Sequence, residues 1–512
     1  MLFYSSLLKP LIANTKQSPN KTLFFCDNKK FTCNDIFSKS CDLAVNLLKK
    51  GIKENDFIVI AIQPGIDFVC IIYAMILLRC RVAIIDPEMG PQLYESKLKQ
   101  LNPSWAFVDS RLLLLREHPV IRYLYLKFAT KPVNFPKVKG MKIIACGPAL
   151  PLLGSYISFR QLIKKKDSIV EDILKDKGDH EFLVTFTSGT LQEPKGVLHS
   201  FESLNNSIQQ LCSIANSNED DIMATYLPHF ALIGIAAQLP IILYDYKWSV
   251  ERKFRFFETN HVTIIFGPPS DFLPLIKYCE LRNLKMTYFR HIMLGSAPVH
   301  KSFLLRLSKV ISEGCRITGI YGMTENLVIS TIDGEEKMSY DGSGDLVGKP
   351  VAGIELKIAS DSELSIRSQQ LYSRYYHMNS RSNYHDTGDL AEIDNTGRII
   401  LKGRKKEMII RRNTNIYPAL YEDVVKQITG VDEAAFVGIY NNEKEDEDVI
   451  LVLETSIQMS KELIIKKLTT GPFAIDPDAM PDKIFFMDIP RKGRQNKIDR
   501  NKLRKLITNI KA

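Results

Sequence analysis

Short apolar, β-branched runs recur along the first 300 residues, with amphipathic stretches between them: FIVIAI from Phe57, VAIID from Val82, EFLVTF from Glu181, VTIIFG from Val262 and HIMLG from His291. Runs this short, with no polar alternation, suit strands buried on both faces, and they predict parallel strands with crossover helices in α/β layers. The longest apolar run, Phe68 to Leu78, is closed by Arg79 and Arg81 well short of the ~20 residues of a membrane span, and it predicts a buried helix. From about Gly344 the period changes. LVGKPVAGIELKI, ELSIRS and LAEIDNTGRIILKGR read as short alternating strands, with Asp394 to Gly397 as a hairpin turn. After Arg404 a smaller α/β section carries strands near Phe436 and Val449 and helices near Tyr421 and Lys461, which places a domain boundary at Arg404 to Lys406.

Composition narrows the class. At 512 residues the chain has length for roughly two to four domains of about 150 residues. Gly (27) and Pro (24) are too sparse for a collagen-like or low-complexity chain. The net charge of +10 comes from scattered cations, with no basic stripe interleaved with aromatics, so it suits nucleotide, phosphate or anionic lipid rather than nucleic acid. Nine cysteines, an odd number with no C-x-x-C pair, argue against a disulfide framework or zinc site and for a reducing, cytoplasmic compartment. The opening MLFYSSLLKPLIANTK lacks the basic start of a secretory signal. Arg111 to Lys131 mixes Leu, Tyr and Phe with Arg and Lys around Pro119. It reads either as an element for peripheral membrane contact or as a surface helix packed on the core. Asn441 to Asp448 (NNEKEDED) reads as a solvated acidic turn.

FTSGTLQEPKGV begins at Phe186, directly after the strand-like EFLVTF. Hydroxyls at Thr187, Ser188 and Thr190, the free dihedrals of Gly189 and the cation of Lys195 make a loop of the kind that wraps polyphosphate. The G-x-x-x-x-G-K-[ST] spacing is absent, so a P-loop NTPase is disfavoured. Alone, the segment reads equally as a surface turn. Downstream stand GSAP at Gly295, YGMTE at Tyr321, YHDTGDL at Tyr384 leading into GRKKEMIIRRNTNIYP at Gly403, and PRKGRQNKIDR at Pro490. In this order and spacing the segments resemble the adenylate-forming superfamily of acyl-CoA synthetases, luciferases and peptide-synthetase adenylation domains, over essentially the whole chain.

The resemblance implies an α/β fold: a large N-terminal domain of layered α/β subdomains with a small β-barrel-like region (1–403), then a smaller, mobile α+β domain (404–512). It implies activation of a carboxylic acid by ATP and Mg²⁺, an in-line attack on the α-phosphorus that expels pyrophosphate and needs cations to balance charge on the phosphate oxygens. Thr187, Ser188, Gly189, Thr190 and Lys195 match the family's phosphate loop. Thr324 matches the α-phosphate hydroxyl and Glu325 the magnesium carboxylate, an oxygen ligand of the kind a hard cation prefers. Gly295, Ser296 and Ala297 match the stretch against which adenine lies, Tyr321 the ring that stacks on the base, Asp389 the ribose carboxylate and Arg404 the interdomain arginine. Lys497 matches the late lysine that the small domain inserts for adenylation, and Lys406 the hinge on which that domain swings.

Several positions depart from the family pattern. Leu191 and Gln192 replace Thr and Gly in the phosphate loop, Ala231 stands where a His is common (His229 is out of register), and Asn413 replaces a Gly that borders the pantetheine route. The apolar stretch after Pro228 resembles long-chain acyl activators, so Phe230, Ile233 and Gly234 read as an acyl pocket or as packed core. The expected reaction is activation of a medium- or long-chain fatty acid to acyl-AMP, then transfer to coenzyme A. Loading of an acyl carrier protein, closure of a β-lactone from a 3-hydroxy acid, and a degenerate nucleotide-binding protein that has lost turnover stay open beside it.

Overall fold

The computed structural model of the chain describes residues 6–26, 29–85, 91–128, 135–136, 140–150, 153, 156–164, 174, 177–186, 195–227, 230–411, 414–441, 446–492 and 497–511. Among these, the apolar runs of the sequence are strands that divide between two sheets. Phe57–Ala61, Arg81–Ile84 and Glu181–Phe186 are parallel neighbours in an eight-stranded sheet that continues through Gly196–Ser200 to the short edge strand Arg374–Tyr375. Ile264–Gly267 and His291–Leu294 are parallel neighbours in a thirteen-stranded sheet. Next to them the antiparallel pair Arg316–Met323 and Asn326–Asp333 leads into the five antiparallel strands of the region after Gly344, the part expected to be barrel-like.

The helix Ile66–Leu78 lies between strands of the first sheet in the chain, and every residue from Phe68 to Leu78 is buried. Each large apolar side chain there contributes about 1.5–3 kcal/mol of burial, which explains an apolar run with no polar face. Among the described residues no helix is long and apolar enough to cross a membrane. The described part of the Arg111 to Lys131 segment forms two helices, Ser110–Glu117 and Pro119–Phe128, and the second turns Val120, Tyr123 and Leu124 outward. Ser200 ends its strand by capping the helix Phe201–Ala215, its hydroxyl accepting from the Ser203 amide. Such a cap is worth about 1 kcal/mol and fixes the backbone just beyond His199.

The predicted hairpin joins His385–Ile393 to Ile399–Arg404, with Gly397 at φ 80° and the Asp394 carboxylate accepting from the Thr396 and Arg398 amides. A turn of Lys405–Glu407 then leads to the small domain. Its sheet pairs Val431–Asn441 with Asp446–Thr455 and adds Lys483–Phe486 in parallel. Alternate residues face opposite ways, so Ala434, Phe436, Leu451 and Leu453 pack with Ile464 and Leu468. Ala435, Val437, Ile450 and Val452 pack with Leu503 and Ile507 of the helix Arg500–Lys511. The helix Pro418–Val425 carries Glu422, a buried carboxylate whose two oxygens meet Arg500 Nη1 and Nη2 at 2.7 Å each.

Candidate active site

Thr324 and Glu325 occupy the turn between Arg316–Met323 and Asn326–Asp333, where Met323 pairs directly with Asn326. The turn is tight. A Cβ on Gly322 would fall 2.0 Å from the Leu327 carbonyl oxygen, so only glycine fits beside Tyr321. Glu325 is buried, and one carboxylate oxygen accepts from the Tyr375 hydroxyl at 2.9 Å. The Thr324 carbonyl lies 2.9 Å from His199 Nε2, and since a carbonyl only accepts, that nitrogen carries the hydrogen. His199 is buried, with Nδ1 unpartnered among the described residues, and burial lowers its pKa to about 4, so the ring is neutral.

A second cluster forms where strands from distant parts of the chain meet. Asp389 and Arg404 are cross-strand partners, with Arg404 Nε 2.7 Å from one Asp389 oxygen. Tyr321 donates its hydroxyl to the other oxygen at 2.6 Å, and Arg404 also donates to the Thr387 carbonyl at 3.1 Å. Burial raises the pKa of Asp389, opposed by Arg404 and Tyr321. A carboxylate has about four acceptor positions, so Asp389 keeps capacity for further donors such as a pair of hydroxyls.

Lys497 opens the short strand Lys497–Ile498 of the small domain. As a whole residue Lys497 stays open to solvent, yet its ammonium lies within the electrostatic reach of Arg404, Asp389, Glu407 and Lys492. Loss of hydration there, with Arg404 adding, lowers its pKa. Arg500 clamps the joining turn, its Nε 2.9 Å from Glu407, and Asp423 of the small domain meets His300 of the large one at 2.8 Å. Lys406 lies exposed in that turn.

Of the phosphate loop, Lys195 is described, and its ammonium sits 5.3 Å from the centre of the Tyr375 ring. Thr187, Ser188, Gly189 and Thr190 lie outside the described residues, as do Leu191, Gln192, His229 and Asn413. Gly295 backs onto Phe266, Ala297 is half-buried, and Ser296 holds φ 66°. A left-handed serine costs about 1–3 kcal/mol and is a conformation found preferentially at functional sites. Phe230 stacks on Phe266 at 4.5 Å and, with Ile233, belongs to the main core. A Cβ on Gly234 would come 2.3 Å from Ile241, so that helix turn packs tightly on its strand. The motifs did not single out His199, Tyr375, His300 or Asp423. His199 stands four residues past Lys195 on the strand that leaves the loop, the one local hint of its place.

Glu325 is buried with no ion pair among the described residues, and those residues hold no cluster of three or more His, Cys, Asp or Glu side chains for a metal cage. The buried carboxylate of Glu325 is an oxygen ligand that suits Mg²⁺, which is commonly held by one or two carboxylates together with substrate phosphates.

The fold and this arrangement define a nucleotide-binding enzyme built from a large α/β domain and a small C-terminal domain. The model of the AMP-binding enzyme family matches residues 11–376, and the chain belongs to that family. It is 26% identical to the 2-succinylbenzoate–CoA ligase of Oceanobacillus iheyensis over 452 residues, 83% of this chain and 85% of the relative. The o-succinylbenzoate coenzyme A synthetase of Bacillus subtilis, solved with ATP and a magnesium ion, superposes with a TM-score of 0.76 at 20% identity, over 98% of this chain and 100% of that one. ATP-bound MatB from Rhodopseudomonas palustris superposes with a TM-score of 0.80 at 17% identity, over 99% and 100%.

Proposed function

We propose that the chain is an AMP-forming acid–thiol ligase that converts a small-molecule carboxylic acid to acyl-AMP and pyrophosphate and then passes the acyl group to coenzyme A. The observation that carries this reading is the buried Asp389 carboxylate held by Arg404 at 2.7 Å and by Tyr321 at 2.6 Å, at the point where the chain passes to the small domain that carries Lys497. A carboxylate oxygen of the acid bonds to the α-phosphorus as the bridge to the β-phosphate breaks. Thr324 holds the α-phosphate, Lys497 and Arg404 balance its charge, and Asp389 takes the ribose hydroxyls. Bound magnesium, held by Glu325, would neutralise the phosphate oxygens. In the second step the coenzyme A thiol loses its proton, attacks the acyl carbonyl and expels AMP. We assign 1–403 to the nucleotide-binding body and 404–512 to a domain that swings at Lys406 between the two steps, with Thr187, Ser188, Gly189, Thr190 and Lys195 on the β- and γ-phosphates and Gly295, Ser296 and Ala297 along adenine.

For the acid we favour an aromatic carboxylic acid of the 2-succinylbenzoate kind over a fatty acid. The Oceanobacillus relative supports this choice. The fatty-acid expectation rested on the apolar stretch at Phe230, and Phe230 and Ile233 are core residues. Pyrophosphate release from the purified protein with ATP, Mg²⁺ and a panel of aromatic, fatty and 3-hydroxy acids, with and without coenzyme A, tests the reading. Acid-dependent release with an acyl-CoA product is the expected result. Release that ignores coenzyme A would point to a carrier protein or β-lactone closure, and ATP binding with no release for any acid would point to a protein that has lost turnover.

A further inference from the structure

Tyr375 touches two charged side chains that the proposed reaction needs. Its hydroxyl donates to Glu325 at 2.9 Å, and its ring lies 5.3 Å from the ammonium of Lys195. The backbone sets the ring in this place: Tyr375 pairs with Val197 on the strand leaving the phosphate loop, and the next amide, Tyr376, donates to the Gly196 carbonyl at 2.8 Å. On its other sides the ring meets Tyr372 at 4.8 Å and His385 at 6.4 Å, and the Tyr372 amide donates to the Glu325 carbonyl at 2.9 Å. The phenol therefore occupies one oxygen of a buried carboxylate and leaves the other for a cation, while the electron-rich ring face attracts the lysine that ends the loop.

We infer that Tyr375 is a positioning residue that orients Glu325 toward magnesium through its hydroxyl and holds Lys195 at the polyphosphate through its ring. This rests on the reading of the site as one that binds ATP with Mg²⁺, and it separates two functions of one side chain. Tyr375→Phe keeps the ring and removes the hydroxyl, whereas Tyr375→Leu removes both.

The test measures two quantities on the full chain: ATP binding by calorimetry with Mg²⁺ and with EDTA, and the Mg²⁺ concentration that half-saturates acid-dependent pyrophosphate release. With Tyr375→Phe the half-saturating Mg²⁺ rises about tenfold, the scale of one hydrogen bond to a charged group, while ATP affinity in EDTA stays at the wild-type value. With Tyr375→Leu the affinity in EDTA also falls, by about three- to tenfold, as Lys195 loses its support. Adding Tyr375→Phe to Glu325→Gln produces no further rise in the Mg²⁺ requirement, because the hydroxyl acts through the carboxylate. A purely structural tyrosine would lower the melting temperature and leave the half-saturating Mg²⁺ of Tyr375→Phe at the wild-type value, and that result overturns the inference. Wild-type protein that binds no ATP under either condition overturns the functional reading beneath it.

Discussion

Arg404 and Asp389 face each other across the ladder between His385–Ile393 and Ile399–Arg404, with Arg404 Nε 2.7 Å from an Asp389 oxygen. Arg404 ends the strand Ile399–Arg404 just before the Lys405–Glu407 turn, so the pair links the buried Asp389 carboxylate to the point at which the chain leaves for the small domain. Asp389 is buried while Arg404 is half exposed. Asp389→Asn is expected to leave the fold near wild-type stability, since the freed guanidinium remains solvated, but to weaken ATP binding by about 10- to 100-fold, or ~1.5–3 kcal/mol. Calorimetric titration of ATP beside a thermal melt measures both.

On the proposed reading Lys497 serves acyl-AMP formation alone. Lys497→Ala should lower acyl-AMP formation by about 10²- to 10³-fold, the scale of losing one charge-stabilising group. Preformed acyl-AMP should still react with coenzyme A at close to the wild-type rate. Equal loss of both steps in single-turnover experiments would assign Lys497 another role.

Glu325 has no ion pair among the described residues, and its one described side-chain partner is the Tyr375 hydroxyl. Glu325→Gln is expected to raise the Mg²⁺ needed for half-maximal pyrophosphate release by about tenfold or more. A titration curve that overlays the wild-type curve would remove Glu325 from the metal site.

Buried neutral histidines make the protein sensitive to acid. Burial lowers His199 and His291 to about 4, against about 6.5 for an unfolded histidine. Between those values the unfolded chain binds more protons, so the stabilisation is complete above about pH 6.5 and is lost as pH falls toward 4. His199→Gln places an amide donor near the Nε2 position and cannot titrate in this range. Its melting temperature should fall less steeply than that of the wild type between pH 6.5 and 4.5, and parallel slopes would show that His199 contributes nothing to the acid response.

Glu422 ties the helix Pro418–Val425 to Arg500 and accepts from the Phe436 amide at 2.6 Å. Glu422→Ala removes one partner of a buried pair, and Glu407 remains to Arg500. A destabilisation of about 3 kcal/mol is expected, with hydrogen exchange rising in the small domain before the large one. Uniform exchange across both domains would show that they unfold as one unit.

The strands at Phe57, Arg81, Glu181, Ile264 and His291, the buried helix at Phe68, the hairpin at Asp394, and in the small domain the strands near Phe436 and Val449 and the helices near Tyr421 and Lys461 were legible from local pattern, whereas the strand Lys483–Phe486 and the helix Arg500–Lys511 were not. Apolar runs, turn residues and period reflect burial and backbone preference, which act over a few residues. The roles proposed for Thr324, Glu325, Asp389, Arg404 and Lys497 came instead from family resemblance, because each stands in a short segment whose order along the chain carries that resemblance.

Other features depended on contacts between residues far apart in sequence. Local pattern could not divide the five apolar runs between two sheets, since a continuous apolar run suits a buried strand of either one. It left Phe230 and Ile233 open between pocket and core, and the structure packs both into the main core. His199 reaches Thr324 across 125 positions and Tyr375 reaches Glu325 across 50. No propensity encodes such pairs. They exist because the strands Gly196–Ser200 and Arg374–Tyr375 lie side by side at the edge of one sheet and the Thr324–Glu325 turn of the other sheet comes against them, and that arrangement is set by the burial of the two sheets together.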